Sequence, residues 1–321
     1  MEYCISHQSA LEYWRKVQAK GAQAGKKLRA NKPSTKPMGA RELCLVNIQK
    51  LSTPLHILVG GAHARRVARD LRCHIGSRQY PYGSFIKVAS GVAVSSPELC
   101  FIQMATELSL IELIELGYEF CGTYRLDRIN ESEQSFRKDL PLTNIALLNS
   151  YVSRASGQKG RVAAQKAIRF IADNSASPME TILALLLTLP YRLGGYGFAT
   201  PLLNCHIEVP GGAGRKTAKS QYYCDLYWSD AKVAVEYDSD AFHALPDRIA
   251  KDAIRRNALL SIGVTVITVT RKQIKNTAEL RNIAHALSKL LDKRLQQRMP
   301  EFTARHAELR NLLLRKVSSS R

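Results

Sequence analysis

Apolar positions along this chain fall into two rhythms, and each predicts its own kind of element. Short runs rich in β-branched residues, His56 to Val59, Val92 to Ser95 and Val264 to Val269, read as strands, the last of them buried. Helical spacing appears from Ala10 to Val17. It returns through Met104, Leu108 and Ile111, where Ser96 can cap a helix, Pro97 suits its first turn, Gly117 ends it, and Glu112 and Glu115 lie toward water. Further on, Ser177-Pro178-Met179-Glu180 precedes the apolar run TILALLL, a capping-box pattern with proline at the first helical position. Tyr222 to Trp228 and Lys232 to Asp238 then read as a hairpin turning at Ser229-Asp230. The next helix places Asp247, Lys251 and Arg255 on one stripe, with Asp252 and Arg256 beside it. Its residues Ile249, Ala253, Ile254 and Leu260 are expected to face the core, and Gly263 to end it. Two more helical patterns, Ala278 to Arg298 and Glu301 to Lys316, close the chain.

A chain of 321 residues exceeds the usual size of one domain, so two cores are expected. The pattern divides into a basic arm over 1–40, a small mixed α/β domain over 41–150 and a second α/β domain over 151–321, with the boundary near Tyr151. Arg125 to Gly157 reads as a polar connection with some helix. No apolar run reaches the roughly 18 residues of a membrane span, and the start, MEYCISHQSALEYWRK, does not read as a secretory leader. Seven cysteines without a paired CxxC suggest reduced thiols, and so a cytoplasmic protein.

Charge narrows the partners. With 47 Lys and Arg against 27 Asp and Glu, the net charge is +20, which points to a polyanion. DNA is the first expectation and RNA the second; a ribosome or anionic membrane surface also fits the charge alone. The acid-free stretch holding Lys20, Lys26, Lys27, Arg29, Lys32 and Lys36 could follow a phosphate backbone or simply be solvated.

Acids carry the candidate chemistry. A period of two puts Glu236 and Asp238 on one face of their strand, and Asp225 sits on the neighbouring strand of the hairpin. Carboxylates this close repel by roughly 4 kcal/mol per pair at about 4 Å and an effective dielectric near 20. A divalent cation with oxygen ligands, Mg²⁺ or Mn²⁺, would offset that and could activate water against a phosphodiester. The alternative is a solvated acidic strand end. For Glu180 the alternative is a carboxylate that returns to the backbone N–H of Ser177.

The ordered segments SPMET, YYCDLYW, VAVEYDSDAFH and DAIRRNALLSIGVTVITVT, within Ser177 to Gln273, resemble very-short-patch-repair-like proteins of the PD-(D/E)XK nuclease superfamily. The resemblance implies a restriction-endonuclease-like C-terminal domain, with Asp225 and Glu236 as the motif acids, Glu180 as the helix-borne acid and Asp238 as a further metal ligand. It also implies that His243 closes the site, where it could act as acid or base or be structural. The motif's lysine is replaced by Asp238, so its positive charge must come from elsewhere or be dispensable. Lys251, Arg255 and Arg256 are the candidate phosphate contacts; Asp247 with Lys251 and Asp252 with Arg256 could equally be i,i+4 pairs on an exposed face. Upstream, PLHILV, GSFIKVASGVAVSSPELCFIQMA and LIELGYEFCGTYRL are similar to parts of abortive-infection regulator proteins, which implies a targeting or regulatory role.

Two readings therefore compete: a metal-dependent endonuclease acting on DNA, or a DNA-binding regulator or antitoxin-like protein that keeps the fold without turnover. His74 beside Cys73 and His206 beside Cys205 invite zinc, but neither pair has a complete four-ligand spacing.

Overall fold

A computed structural model describes residues 3–18, 26–29, 31–37, 50–76, 79–130, 133–209, 220–238, 246–296 and 301–315. The chain forms two compact units. The first comprises 1–127 and 137–171, the second 128–136 and 172–321. Both are mixed α/β, and no described helix is long and apolar enough to cross a membrane.

In the first unit, β1 (Tyr3–Ile5), β2 (Leu55–Val59), β3 (Leu71–Ile75), β4 (Phe85–Ala89) and β5 (Val92–Ser95) form one sheet in the order β3-β2-β1-β5-β4. β1 runs parallel to β5 and antiparallel to β2. The expected basic arm is thus corrected at its start, because Tyr3, Cys4 and Ile5 are buried at the centre of the sheet. Helix α1 (His7–Lys16) follows at once; its Trp14 is buried and donates Nε1–H to the carbonyl of Ser95 at 2.8 Å. Lys27 bridges to Ile86 on β4, so the described part of the basic stretch adds to a sheet edge. Lys20 lies outside the described residues.

The long helix expected from Ser96 to Gly117 is two helices, α2 (Pro97–Met104) and α3 (Leu110–Cys121). Ser96 caps the first as expected, whereas Ser109 and Glu112 form a capping box that restarts the second. Gly117 lies inside α3 and does not end it. A Cβ there would stand 2.1 Å from Ile171 Cδ1, so the glycine permits close packing. A hairpin of β6 (Tyr124–Asn130) and β7 (Glu133–Lys138) follows, then α4 (Ile145–Arg154) and α5 (Arg161–Ile168). These helices pack on α2 and α3, which moves the boundary from near Tyr151 to between Ile171 and Ala172.

The second unit begins with α6 (Pro178–Thr188), buried at every position from Met179 to Leu187. A helix apolar all round must be covered all round. Ser177 caps it by accepting the Glu180 N–H at 3.2 Å; Ser177→Ala is expected to lower stability by about 1 kcal/mol in a denaturant melt. Strands β8 (Leu202–Val209), β9 (Ser220–Trp228), β10 (Val233–Asp238) and β11 (Thr265–Thr270) lie in the order β11-β10-β9-β8, with β10 and β11 parallel and the other pairs antiparallel.

Helix α7 (Pro246–Ser261) connects β10 to β11. Its buried face differs from the expected one: Leu259 is 1% exposed, while Ile254 and Leu260 are 64% and 66% exposed. Leu259 packs with Cys224, Ala234 and Val264, a choice that depends on the helix's rotation over the sheet and not on its apolar count. VTVITV is an edge strand with only Val264 and Val269 fully buried, because no strand pairs on its outer side among the described residues. Helices α8 (Arg271–Lys275), α9 (Thr277–Leu290) and α10 (Phe302–Leu314) complete the unit.

Candidate carboxylate site in the second unit

Three elements of the second unit deliver acids to one locality. α6 carries Glu180 in its first turn, β9 carries Asp225, and β10 carries Glu236 and Asp238. The antiparallel pairing of Val235 with Leu226 continues to place Glu236 opposite Asp225. Instead of a regular ladder bond, the Tyr237 N–H donates to Asp225 Oδ2 at 2.8 Å.

Glu180 is 8% exposed and fully engaged with donors. Its Oε1 accepts from Ser177 Oγ at 2.9 Å, and its Oε2 accepts from the Ala176 N–H at 3.0 Å and Asn204 Nδ2 at 2.8 Å. The return bond therefore reaches Ala176 and not Ser177, which differs from the expected capping box. Asn204 falls opposite Asp225 in the β8–β9 register, where pairing skips from Leu203–Leu226 to Cys205–Cys224. Its left-handed φ of 45° breaks the ladder and lets the side chain reach the acid.

Burial, then the charge of Glu180, and then that of Glu236 raise the Asp225 carboxyl from 3.8 to about 7, against the lowering effect of the Tyr237 N–H and Arg255. Asp225 thus feels the charges of both Glu180 and Glu236. Glu236 is held by Arg255 of α7, with NH2 2.6 Å from Oε1, and the same NH2 donates to the Tyr223 carbonyl. Burial and the neighbouring Glu236 push the Cys224 thiol up to about 12, so it is protonated and inert as a nucleophile at neutral pH.

Glu236, Asp238, Arg255 and Arg256 line a cavity of about 130 Å³ with Tyr237, Leu259, Val266 and Thr268. Of the candidate phosphate contacts, Arg255 is engaged with Glu236, while Arg256 is exposed. Lys251 belongs to α7, but its side chain lies outside the described residues, as does His243. His206 stacks obliquely near Tyr223 and belongs to no ligand group among the described residues.

The fit to a divalent cation rests on donor chemistry. Asp225 and Glu236 are oxygen donors whose mutual repulsion such an ion would relieve, and no hydrogen bond reaches Asp225 Oδ1 among the described residues. However, the described group of three ligand atoms within 4.8 Å of one another is His7, His74 and Glu107, not Asp225, Glu236 and Asp238. An ion at the carboxylates would have to draw them inward and compete with Arg255.

Asn204 and Arg255 were the residues that sequence reasoning missed or assigned differently. Arg255 had a visible signal, its place on the charged stripe, but its carboxylate partner is 19 residues away on another element. Asn204 had none.

No family profile matches this chain, and no solved structure matches it. It is similar to two proteins of Mycobacterium tuberculosis, "Uncharacterized protein MT2308" of strain CDC 1551 / Oshkosh and "Uncharacterized protein Rv2248" of strain ATCC 25618 / H37Rv. Each is 25% identical over 146 residues, covering 46% of this chain and 48% of the relative. The chain spans about half the length of the curated relatives it matches.

Proposed function

We propose that the second unit is a restriction-endonuclease-like domain of the PD-(D/E)XK kind, and that the protein hydrolyses phosphodiester bonds in DNA with Mg²⁺ or Mn²⁺. The observation that carries this reading is the electrostatic coupling of Asp225 with Glu180 and Glu236 on three adjoining elements. Structural acids seldom crowd until a carboxyl sits near neutrality, whereas groups that handle metal or protons often do. Asp225 and Glu236 would hold the ion, with Asp238 as the further ligand. Bound there, it would polarise the scissile phosphate and lower the pKa of the attacking water.

The chain's own residues supply the remaining parts. Glu180, anchored by Ser177, Ala176 and Asn204, fixes a negative charge beside Asp225 and raises its affinity for a cation. Arg255 brings a guanidinium to Glu236, which supplies the positive charge that Asp238 removes from the motif's lysine position. With Glu236 on a cation, the Arg255 guanidinium would be available to phosphate, next to the exposed Arg256. The net charge of +20 attracts the polyanion, and the six described cysteines form no disulfide, in keeping with a reducing compartment.

A second reading has its own observation. Arg255 already neutralises Glu236, and Tyr237 already satisfies one oxygen of Asp225, so the site holds together without a metal. That suits a DNA-binding regulator that retains the fold without turnover.

Nicking of supercoiled plasmid in Mg²⁺ or Mn²⁺ separates the two readings. The nuclease reading expects nicking that stops in EDTA and in Glu236→Ala. A folded parent that binds DNA yet never nicks it removes that reading in favour of the regulator. In either case DNA affinity is expected to fall steeply with salt, by roughly 10³-fold between 50 and 200 mM if about six phosphates are contacted. A fluorescence-anisotropy titration across that range checks this, and a flat response would remove the electrostatic basis of binding.

A further inference from the structure

Far from the carboxylates in sequence, the first unit holds a cavity of about 570 Å³ against strand β3. Separate segments bring cations to its wall: Arg65 and Arg66 from between β2 and β3, Arg72 from β3 itself, and Lys159 from the loop between α4 and α5. No acid lines it among the described residues. Local structure holds these segments in place. The Arg66 N–H donates to Cys73 Sγ at 3.5 Å and the thiol returns a bond to the Arg66 carbonyl at 3.4 Å, which ties that segment to β3. Gly160, next to Lys159, has a φ of 90°, and a Cβ there would stand 2.2 Å from the carbonyl oxygen of Ile102. Only glycine lets the loop carrying Lys159 pack this closely on α2.

Gln103 of α2 lines the same cavity and is 5% exposed. Its Oε1 accepts the His7 N–H at 3.0 Å. A backbone N–H can only donate, so that bond fixes which end of the amide is oxygen. The other end, Nε2, is buried and has no hydrogen-bond partner among the described residues. A buried donor left unmet is costly, and a ligand oxygen would meet it. On the same wall His7 and His74 stack, with ring centroids 3.5 Å and planes 11° apart. Burial first, then the neighbouring histidines and the charges of Arg72 and Lys159, lower His7 to about 2 and His74 to about 4. Both rings are therefore neutral at pH 7, and the positive charge of the wall belongs to its arginines and lysine. Arg72 and Lys159, 87 residues apart, act on the same two rings, so their charges converge. The acid beside those rings is Glu107, whose carboxyl burial raises above its ordinary range against the charge of Arg72.

The geometry points to a binding site for the phosphate groups of a nucleotide-sized small molecule, held by Arg65, Arg66, Arg72 and Lys159 with the Gln103 amide as a buried donor. Guanidinium forks match the oxygens of phosphate in pairs, and the lysine adds a compact charge. Four cations suit a ligand with more than one phosphate, since a single terminal phosphate carries only about −1.5 to −2. The cavity's size falls within the roughly 300–1,000 Å³ of small-molecule sites, which separates this ligand from the polyanion that the chain's net charge attracts. Leu58, Leu99 and Ile102 line the rest and offer an apolar surface to the body of the ligand. The site stands apart from the nuclease reading and does not rest on it.

The test titrates the full chain calorimetrically with ADP and with pyrophosphate, and with adenosine as the phosphate-free control. EDTA keeps the second unit's carboxylates out of the measurement, and about 150 mM salt screens diffuse attraction to the basic surface. The expected result is one ADP per chain, displaced by pyrophosphate, no binding of adenosine, and affinity about 10–100-fold weaker in Arg72→Ala and in Lys159→Ala. Both residues are exposed, so neither substitution threatens the fold. Gln103→Glu keeps an oxygen for the His7 N–H but puts an acid in place of the orphaned donor, and it is expected to abolish binding in a protein that still melts cooperatively. Lys166→Ala removes the same charge from α5 outside the cavity and is expected to leave affinity unchanged. Failure of both ADP and pyrophosphate to bind saturably, adenosine binding as well as ADP, unchanged affinity in Arg72→Ala and Lys159→Ala, or an equal loss in Lys166→Ala overturns the site.

Discussion

Asp225→Asn is expected, on the proposed nuclease reading, to slow metal-dependent nicking by roughly 10³-fold, and on any reading to make the metal-free protein more stable at pH 8. The first effect follows if Asp225 is the anionic metal ligand of the proposed function, since losing such a ligand would cost several kcal/mol in the transition state. The second follows from linkage. An acid whose folded pKa lies above its unfolded value binds more protons folded than unfolded, so stability falls as pH rises between the two values. For Asp225 that window runs from 3.8 to about 7, and the penalty above it is at most roughly 4 kcal/mol, reduced by partial solvation to about 2–4. Asparagine keeps an oxygen for the Tyr237 N–H and carries no charge. Thermal melts of variant and parent in EDTA at pH 5 and pH 8 check this. The variant's advantage should appear at pH 8 and shrink at pH 5. A difference independent of pH would sink the electrostatic account, and unchanged nicking would sink the catalytic one.

Glu119→Leu is expected to cost the first unit about 3–5 kcal/mol, a fall of about 10 °C in its melting temperature. Glu119 is 1% exposed and receives Arg15 Nε and NH2 at 2.9 and 2.7 Å, while its Oε1 also accepts the Leu126 N–H at 3.1 Å. Beside it, Arg125 is fully buried and donates to the carbonyls of Glu119, Gly122, Tyr124 and Leu140. Removing the carboxylate strands two guanidinium charges in a low dielectric, a larger loss than that of any single exposed pair. The Arg15→Met/Glu119→Leu double variant is expected to recover much of the loss, measured by calorimetry. A single variant as stable as the parent would show that this pair does not organise the unit.

Most elements of the fold were legible because they depend on neighbours in sequence. Ser96 and Ser177 announce α2 and α6, the hairpin of β9 and β10 follows from alternation, and α7 is marked by its charged stripe. The break between α2 and α3 was also readable in Ser109 and Glu112, but Gly117 drew attention to the wrong end. What misled was context: a glycine that permits packing against Ile171 looks the same in sequence as one that stops a helix.

The candidate acids are a similar case. Sequence spacing puts Asp225 and Glu236 on neighbouring strands, and only the resemblance joins Glu180 to them, yet the tertiary structure alone raises the Asp225 carboxyl toward neutrality, since that depends on burial and on charges from α6 and β10. Arg255 was visible as a cation, but its pairing with Glu236 depends on how α7 lies over the sheet. His74 stacks on His7 from the start of the chain, a contact that no spacing in the sequence announces. By itself the sequence determined an α/β chain with more than one core, those strands and capped helices whose signals are local, and a strongly basic net charge, because propensity, capping and net charge are local or additive. The tertiary structure alone decided where the units divide, which face of α7 is buried and which side chains meet, because burial and charge coupling depend on residues brought together only by the folded chain.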